Sequence, residues 1–237
     1  MIKAILFDLD GTLLPMDLDV FLNDYLTRFT VSMAPAGHTP EQFRQAVWAG
    51  TAAMVKNDGS RTNDEAFWEA YFNLFGEESA RDRDLLEAYY YNDFQNVRHV
   101  CGFDPRAAEA IREIKAMGYR VILATNPLFP AIATHSRVRW IGLEPENFEL
   151  ITTFENSRFA KPNLKYFEEI MEKQGLLPEE CVMVGNDVAE DMVARHLGLK
   201  VFLMTDCLIN KPGADIDQFP HGSFPELMDF IRGAVRC

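Results

Sequence analysis

The chain opens on an apolar run, Ile2, Ala4, Ile5, Leu6 and Phe7, which stops at Asp8-Leu9-Asp10-Gly11-Thr12. A near-continuous apolar run of this length reads as a strand buried on both faces, the pattern of a parallel sheet. Gly11 then permits a tight turn. Beyond Leu13-Leu14-Pro15 the period changes. Leu18, Phe21, Leu22, Tyr25, Leu26 and Phe29 recur at helical spacing and predict a helix over 16–30. Thr39-Pro40-Glu41-Gln42 is a capping box with proline at the first helical position, opening a helix to about Lys56. Asn57-Asp58-Gly59-Ser60 is a turn. Thr62-Asn63-Asp64-Glu65 is a second capping box, heading a helix with Phe67, Tyr71, Leu74 and Phe75 on one face and Gly76 as its stop. A fourth helix is predicted over 83–94. Helices alone, in a stretch of this length, form a small bundle.

From Phe103 strands and helices alternate. Asp104-Pro105 caps a helix to about Gly118. Strands are predicted at Arg120–Ala124, near Phe148–Thr153, at Cys181–Val184 and at Lys200–Met204. Helices are predicted at 130–141, 163–174, 188–197 and 224–235, with an irregular stretch over 209–219. Strands joined by helices give an α/β fold with a parallel sheet and right-handed crossovers. The reading is therefore an α/β core, 1–14 and 101–237, with a helical cap inserted at 15–100. Ligands of such sheets bind beyond the carboxyl ends of the strands, where Asp8 and Asp10 lie, two apart and on one side of an extended chain.

Composition narrows the setting. The 237 residues carry a net charge of −13, with 48% hydrophobic and 25% charged side chains, ordinary for a globular protein. The acidic balance argues against a nucleic-acid partner, which requires a basic face. No apolar run approaches the ~20 residues of a membrane span. The first strand starts at residue 2, in place of a leader. Cys101, Cys181, Cys207 and Cys237 are scattered without a CxxC, and the economical reading is reduced thiols in a cytoplasmic protein. The five histidines lack metal-ligand spacing. His135, on a helix with Arg137 and Arg139, reads as surface.

The strand followed by Asp8-Leu9-Asp10-Gly11-Thr12 resembles the first motif of the haloacid dehalogenase (HAD) superfamily of aspartate-nucleophile phosphatases. Three further stretches resemble its later motifs in order: Val121 to Asn126, a strand ending in Thr125; Lys161-Pro162; and Val182 to Asp191, a strand followed by two acids four apart. The resemblance covers roughly 1–14 and 101–205. It implies a Rossmann-like doubly wound sheet of order 5-4-1-2-3, with its crevice over Asp8, and a cap of the class inserted after the first motif. It implies Asp8 as the nucleophile that forms an aspartyl-phosphate, and Asp10 as the acid and then the base. Thr125 and the amide of Asn126 would hold phosphoryl oxygens, and Lys161 would balance their charge.

Asp8, Asp10, Asp187 and Asp191 would crowd one crevice with an anionic substrate. Each like-charge pair near ~4 Å costs about 4 kcal/mol at an effective dielectric of ~20, so a hard divalent cation is required. Oxygen ligands select Mg2+. The resemblance gives Asp8, the main-chain carbonyl of Asp10 and Asp187 as its ligands, with Asp191 one helical turn on, holding metal water or Lys161. Glu190 is a weaker stand-in. Asn186 occupies the position directly after Gly185 where many members place an acid. The expected function is a Mg2+-dependent phosphatase acting on a small phosphorylated metabolite. A phosphomutase is the alternative, and a 2-haloacid dehalogenase or a phospho-aspartate signalling domain are more distant ones. The cap cations Arg28, Arg44, Lys56, Arg61, Arg81, Arg83 and Arg98 are candidates for a second anionic group, with Arg61 chosen because it lies in the 57–61 turn, a cap loop that is a candidate to touch substrate.

Overall fold

In a computed structural model the chain is described over residues 1–211 and 213–234. Pro212, Val235 and Cys237, which entered the sequence reading, lie outside the described residues. β1 (Ala4–Phe7) is central, buried along its whole length, and pairs in parallel with β2 (Arg120–Leu123) on one side and β4 (Cys181–Gly185) on the other. The full order is β3-β2-β1-β4-β5-β6, with β3 at Leu150–Ile151, β5 at Lys200–Met204 and β6 at His221–Gly222. The expected order 5-4-1-2-3 is thus present and extended by a sixth strand. β6 is two residues long with no apolar run, and its pairing of Leu203 with His221 and Met204 with Gly222 is set by the neighbour, not by its own composition. The chain runs outward from β1 in one direction through β2 and in the other through β4, so the topological switch falls beside β1.

Strand alternation divides the apolar side chains between two layers. Ile5, Phe7, Val121, Val182 and Phe202 face one core with Ile111 of α5 (Pro105–Ala116) and Leu227 of α8 (Phe224–Ala234). Ala4, Leu6, Ile122, Met183 and Leu203 face the other, under Tyr166 and Phe167 of α7 (Leu164–Gln174). α6 (Ala131–Trp140) follows β2 on the first face.

The helices between the first and second strands are α1 (Leu18–Ser32), α2 (Pro40–Val55), α3 (Asn63–Phe75) and α4 (Asp82–Tyr91). Both predicted capping boxes form, at Thr39/Gln42 and Thr62/Glu65. α4 is shorter than its pattern suggests because Asn92 leaves helical geometry and the chain continues as a 3-10 helix over Asp93–Val100. The chain leaves for this block and returns from it side by side: Met16 bridges Cys101, and the Gly102 N–H donates to the Pro15 carbonyl at 2.7 Å. The block's aromatic stripes, including Phe21, Tyr25, Phe29 and Phe43, join the apolar core of the sheet's first face. Among the described residues no helix is long and apolar enough to cross a membrane.

Candidate active site

The site forms where β1, β2 and β4 end. Asp8 follows the last residue of β1, and its N–H continues the ladder to the Val184 carbonyl at 2.9 Å, which fixes its backbone. Its buried carboxylate accepts from Lys161 Nζ at 2.9 Å on Oδ1 and from Thr12 Oγ1 at 3.2 Å on Oδ2. The same ammonium donates to Asp191 Oδ1 at 2.6 Å. Burial disfavours the Lys161 ammonium, but Asp191 and Asp8 outweigh that and hold its proton well above the ordinary lysine range. Burial lifts the Asp191 carboxyl, and Lys161 opposes the rise.

The helix expected over 188–197 begins only at Met192, as a 3-10 turn to Leu197. The Asp187 side chain caps the first N–H groups of the turn, and beyond it the backbone bonding tightens, the Ala194 N–H donating to the Asp191 carbonyl three residues back at 3.2 Å. Asp187 Oδ1 accepts from the N–H groups of Ala189 and Glu190 at 2.7 and 3.0 Å, and Asp191 Oδ2 accepts from the Asp187 N–H at 3.0 Å. This tight turn carries Asp191 back to Lys161. It needs glycine at 185, because a Cβ there would lie 2.1 Å from Asp191 Oδ2. Gly185→Ala is expected to push Asp191 off Lys161, lowering both the midpoint of thermal unfolding and turnover; an unchanged midpoint would show that the turn has room.

Thr125 is buried just beyond β2, its carbonyl accepting from Thr152 Oγ1 at 2.7 Å and the Tyr166 hydroxyl at 2.8 Å. Asn126 Oδ1 accepts from the Lys161 N–H at 3.2 Å, and its Nδ2 donates to Glu190 at 2.9 Å. Asp8, Asp10, Thr125, Asn126, Asp187 and Asp191 all line one cavity of about 280 Å3, with Lys161 bonded to the first and last of them.

Arg61 is the predicted site residue that the fold does not bring there. It pairs with Glu69 on the outer side of the helical block. Its loop is docked on the core: Asn57 Nδ2 donates to Asn63 Oδ1, Asn63 Nδ2 to the Pro127 carbonyl, and Gly59 packs on Phe159. The turn offered in sequence as a loop against substrate instead uses its amides as struts.

Arg137, which the sequence offered only as a helix neighbour of His135, is buried and its Nη1 donates to Asp10 Oδ2. The guanidinium carbon lies 4.5 Å from the Phe129 ring centroid, a cation–π position. Its spacing contained the signal: it falls four residues after Ala133 and three before Trp140, both buried, on the apolar face of α6. Burial raises the Asp10 carboxyl, and Arg137 pulls it back. In Mg2+-free buffer Arg137→Leu leaves that carboxylate unpaired, and we expect a loss of about 3 kcal/mol at neutral pH. The Asp10 carboxyl then rises further, a raised acid gives stability that fades as pH rises through its folded value, and so the deficit should shrink toward about pH 5. Urea unfolding at both pH values checks this; a deficit that grows in acid contradicts it.

Asn186 also belongs to the site. Its Oδ1 accepts from Thr12 Oγ1 at 3.0 Å, its Nδ2 donates to the Cys207 carbonyl at 2.7 Å, and its amide packs on Gly11, where φ is +83°. The donors around Asp8 are therefore all oxygens: carboxylates, a carboxamide and main-chain carbonyls. Carboxylates of Asp8, Asp10, Asp187, Glu190 and Asp191 face the cations of Lys161 and Arg137, and Asp10 Oδ1 is buried without a partner. Among the described residues no three acidic, histidine or cysteine side chains are already gathered around one point. A hard cation fits this excess of oxygen and negative charge, with ligands of mixed kind.

The profile of the haloacid dehalogenase-like hydrolase family matches residues 2–198. The chain belongs to this family. This HAD-like hydrolase is 26% identical over 230 residues to a glyceraldehyde 3-phosphate phosphatase of Methanothermobacter thermautotrophicus, covering 91% of this chain and 94% of the relative. It is 27% identical over 208 residues to a phosphoglycolate phosphatase of Vibrio vulnificus, covering 86% and 84%. Its fold is shared by a 2-haloacid dehalogenase from Pseudomonas syringae pv. Tomato, at a TM-score of 0.64 and 21% identity over 98% of this chain and 99% of that one.

Proposed function

We propose that this HAD-like hydrolase is a Mg2+-dependent phosphatase that works through an aspartyl-phosphate on Asp8. One observation carries the reading: Asp8 has its carboxylate neutralised on one oxygen by a buried lysine, while a second acid two residues on is held by a buried arginine. Two adjacent carboxylates in different surroundings can take different roles. The phosphatase names of its relatives support the reaction class.

An Asp8 oxygen attacks phosphorus and the ester P–O bond breaks. Asp10 gives its proton to the departing alkoxide, which leaves as the alcohol. Water then attacks the same phosphorus, passes a proton to Asp10, and the Asp8–phosphorus bond breaks to release phosphate. Lys161 remains against Asp8 and the phosphoryl charge, oriented by Asp191. Thr125 and Asn126 present donors to the phosphoryl oxygens. Asp8, the Asp10 carbonyl, and Asp187 or the side-chain oxygen of Asn186 would hold Mg2+. When bound, it offsets the negative charge shared by the acids and the phosphoryl group. The block at 15–100 acts as a cap on this crevice.

The experiment is hydrolysis of acetyl phosphate, which carries no bulky group. Phosphate release should stop with a chelator and return with Mg2+. Undiminished release in metal-free buffer would remove the metal from the account.

A further inference from the structure

The cavity that begins at the catalytic acids continues into the helical block, and its chemistry changes abruptly. Beyond Asp8 and Asp10 its walls include Leu22, Trp48, Phe67, Leu86, Phe129 and Phe154. No arginine or lysine of the helical block is among the described residues lining it. Arg28 is spent on Asp24 at 2.6 Å, Arg61 on Glu69, and Arg83 lies over Trp68 at 4.5 Å in a different cavity. The basic lining residue among those described is Lys211, which is exposed and sits at the acid end, two residues past Ile209, whose N–H donates to the Asn186 carbonyl.

The polar atoms within the apolar part cannot replace a cation. Tyr25 and Tyr90 are buried and their hydroxyls bond each other at 2.9 Å. Burial pushes Tyr25 up to about 12 and lifts Tyr90 well above the ordinary tyrosine range, so both stay neutral. The Thr51 hydroxyl and the indole N–H of Trp48 are the further side-chain polar groups of that part. These few neutral groups offer no counter-charge and too few partners for a carboxylate or a polyol placed here, each unmet polar group costing about 1–3 kcal/mol and a charge more. At the same time Trp48 is 55% exposed and Leu18 38% exposed at the lip of the cavity, apolar area that a bound chain or ring would cover.

We infer that the substrate is the phosphate monoester of an uncharged, apolar alcohol, its hydrocarbon part lying between α1, α2 and the loop carrying Phe129. This rests on the phosphatase reading above and goes further by naming the leaving group. It differs in chemistry from glyceraldehyde 3-phosphate and phosphoglycolate, the compounds in the names of the relatives. Those leaving groups are polar or charged. The cavity, at about 280 Å3, is near the lower end of the ~300–1,000 Å3 usual for ligand sites and suits a short chain or a single ring.

The test uses n-alkyl phosphates from ethyl to hexyl with Mg2+, since their alkoxides leave almost equally well and kcat/KM then reports contact with the cavity. About 0.8 kcal/mol per buried methylene predicts a rise of about four-fold per carbon. 2-Phosphoglycolate should fall at least about 10²-fold below hexyl phosphate. Trp48→Ala, at an exposed position, should lower kcat/KM on hexyl phosphate more than on ethyl phosphate, with Trp48→Phe recovering part of the difference. A flat or falling series, or 2-phosphoglycolate equal to hexyl phosphate, overturns the inference while hydrolysis of acetyl phosphate keeps the phosphatase reading intact. No hydrolysis of any ester and none of acetyl phosphate overturns both.

Discussion

An Asp10→Asn protein mixed with acetyl phosphate and Mg2+ is expected to accumulate one covalent phosphoryl group, visible by intact-mass spectrometry after an acid quench. Acetate is a good leaving group and needs little proton help, so the first step should survive. The second step loses the base that Asp10 provides to water. General acid–base help is worth roughly 10²–10⁴-fold, enough to make dephosphorylation rate-limiting. The asymmetry depends on Asp10 lying clear of the nucleophile's own partners: Asp10 bonds Arg137, whereas Asp8 bonds Lys161 and Thr12. Asn at position 10 can still accept from Arg137, so the local packing should be kept. The Asp8→Asn protein should show no adduct under the same conditions. An adduct in Asp8→Asn would place the nucleophile elsewhere.

Lys161→Met should have the largest combined effect on stability and activity. The ammonium is almost fully buried and bonded to two carboxylates, Asp8 at 2.9 Å and Asp191 at 2.6 Å. Removing one partner of a buried ion pair costs about 3–5 kcal/mol because the remaining charge is uncompensated, and here two carboxylates are left facing each other. We expect the urea midpoint to fall accordingly in metal-free buffer and turnover to be lost. Adding Asp191→Asn to Lys161→Met removes one of the stranded charges and should recover part of the midpoint but none of the turnover. Recovery of turnover by the double variant would mean that Lys161 acts only as a structural counter-ion. A midpoint equal to that of the unaltered protein would mean that the carboxylates take up protons at little cost.

What could be read in the sequence follows from how each feature is encoded. The strand ends at Asp8, Thr125 and Gly185 were legible because a buried parallel strand is a contiguous apolar run and its end is marked by the first polar residue. Capping boxes at Thr39 and Thr62 are local and self-announcing, and both form. Features set by distant partners were not legible. β6 borrows its strand character from β5. The 187–191 turn is built from Asp187 and Asp191 side chains bonding backbone amides, in a stretch whose residue types also suit a helix.

Arginine is where the sequence was least legible. Arg137 looks like a surface cation by residue type, yet it sits on the apolar face of α6 opposite Asp10, and the face position was the better guide. Arg61 looks like a substrate cation by its turn, yet the turn is tied through Asn57 and Asn63 to the Pro127 carbonyl and the side chain to Glu69. Asn186 could be read only as a departure from a pattern. In the fold it shares the Thr12 hydroxyl with Asp8, so a neutral oxygen stands beside the nucleophile where a further negative charge would otherwise add to the crowd. The apolar character of the cavity was equally hidden, because the stripes that line it have the same composition as the stripes that form the core.

The central claim is that Asp8 carries the phosphoryl group, and the most direct measurement locates it chemically. An acyl phosphate is reduced by borohydride at its carbonyl carbon, with loss of phosphate, whereas a free carboxylate is not. Asp10→Asn protein quenched during turnover of acetyl phosphate, reduced with borohydride and digested should yield an N-terminal peptide with homoserine where Asp8 stood, found by tandem mass spectrometry. The account predicts that conversion at position 8, dependent on Mg2+ and absent without phosphoryl donor. Conversion at Asp187, Glu190 or Asp191 instead, or turnover with no reducible acyl phosphate at any acid, would contradict it.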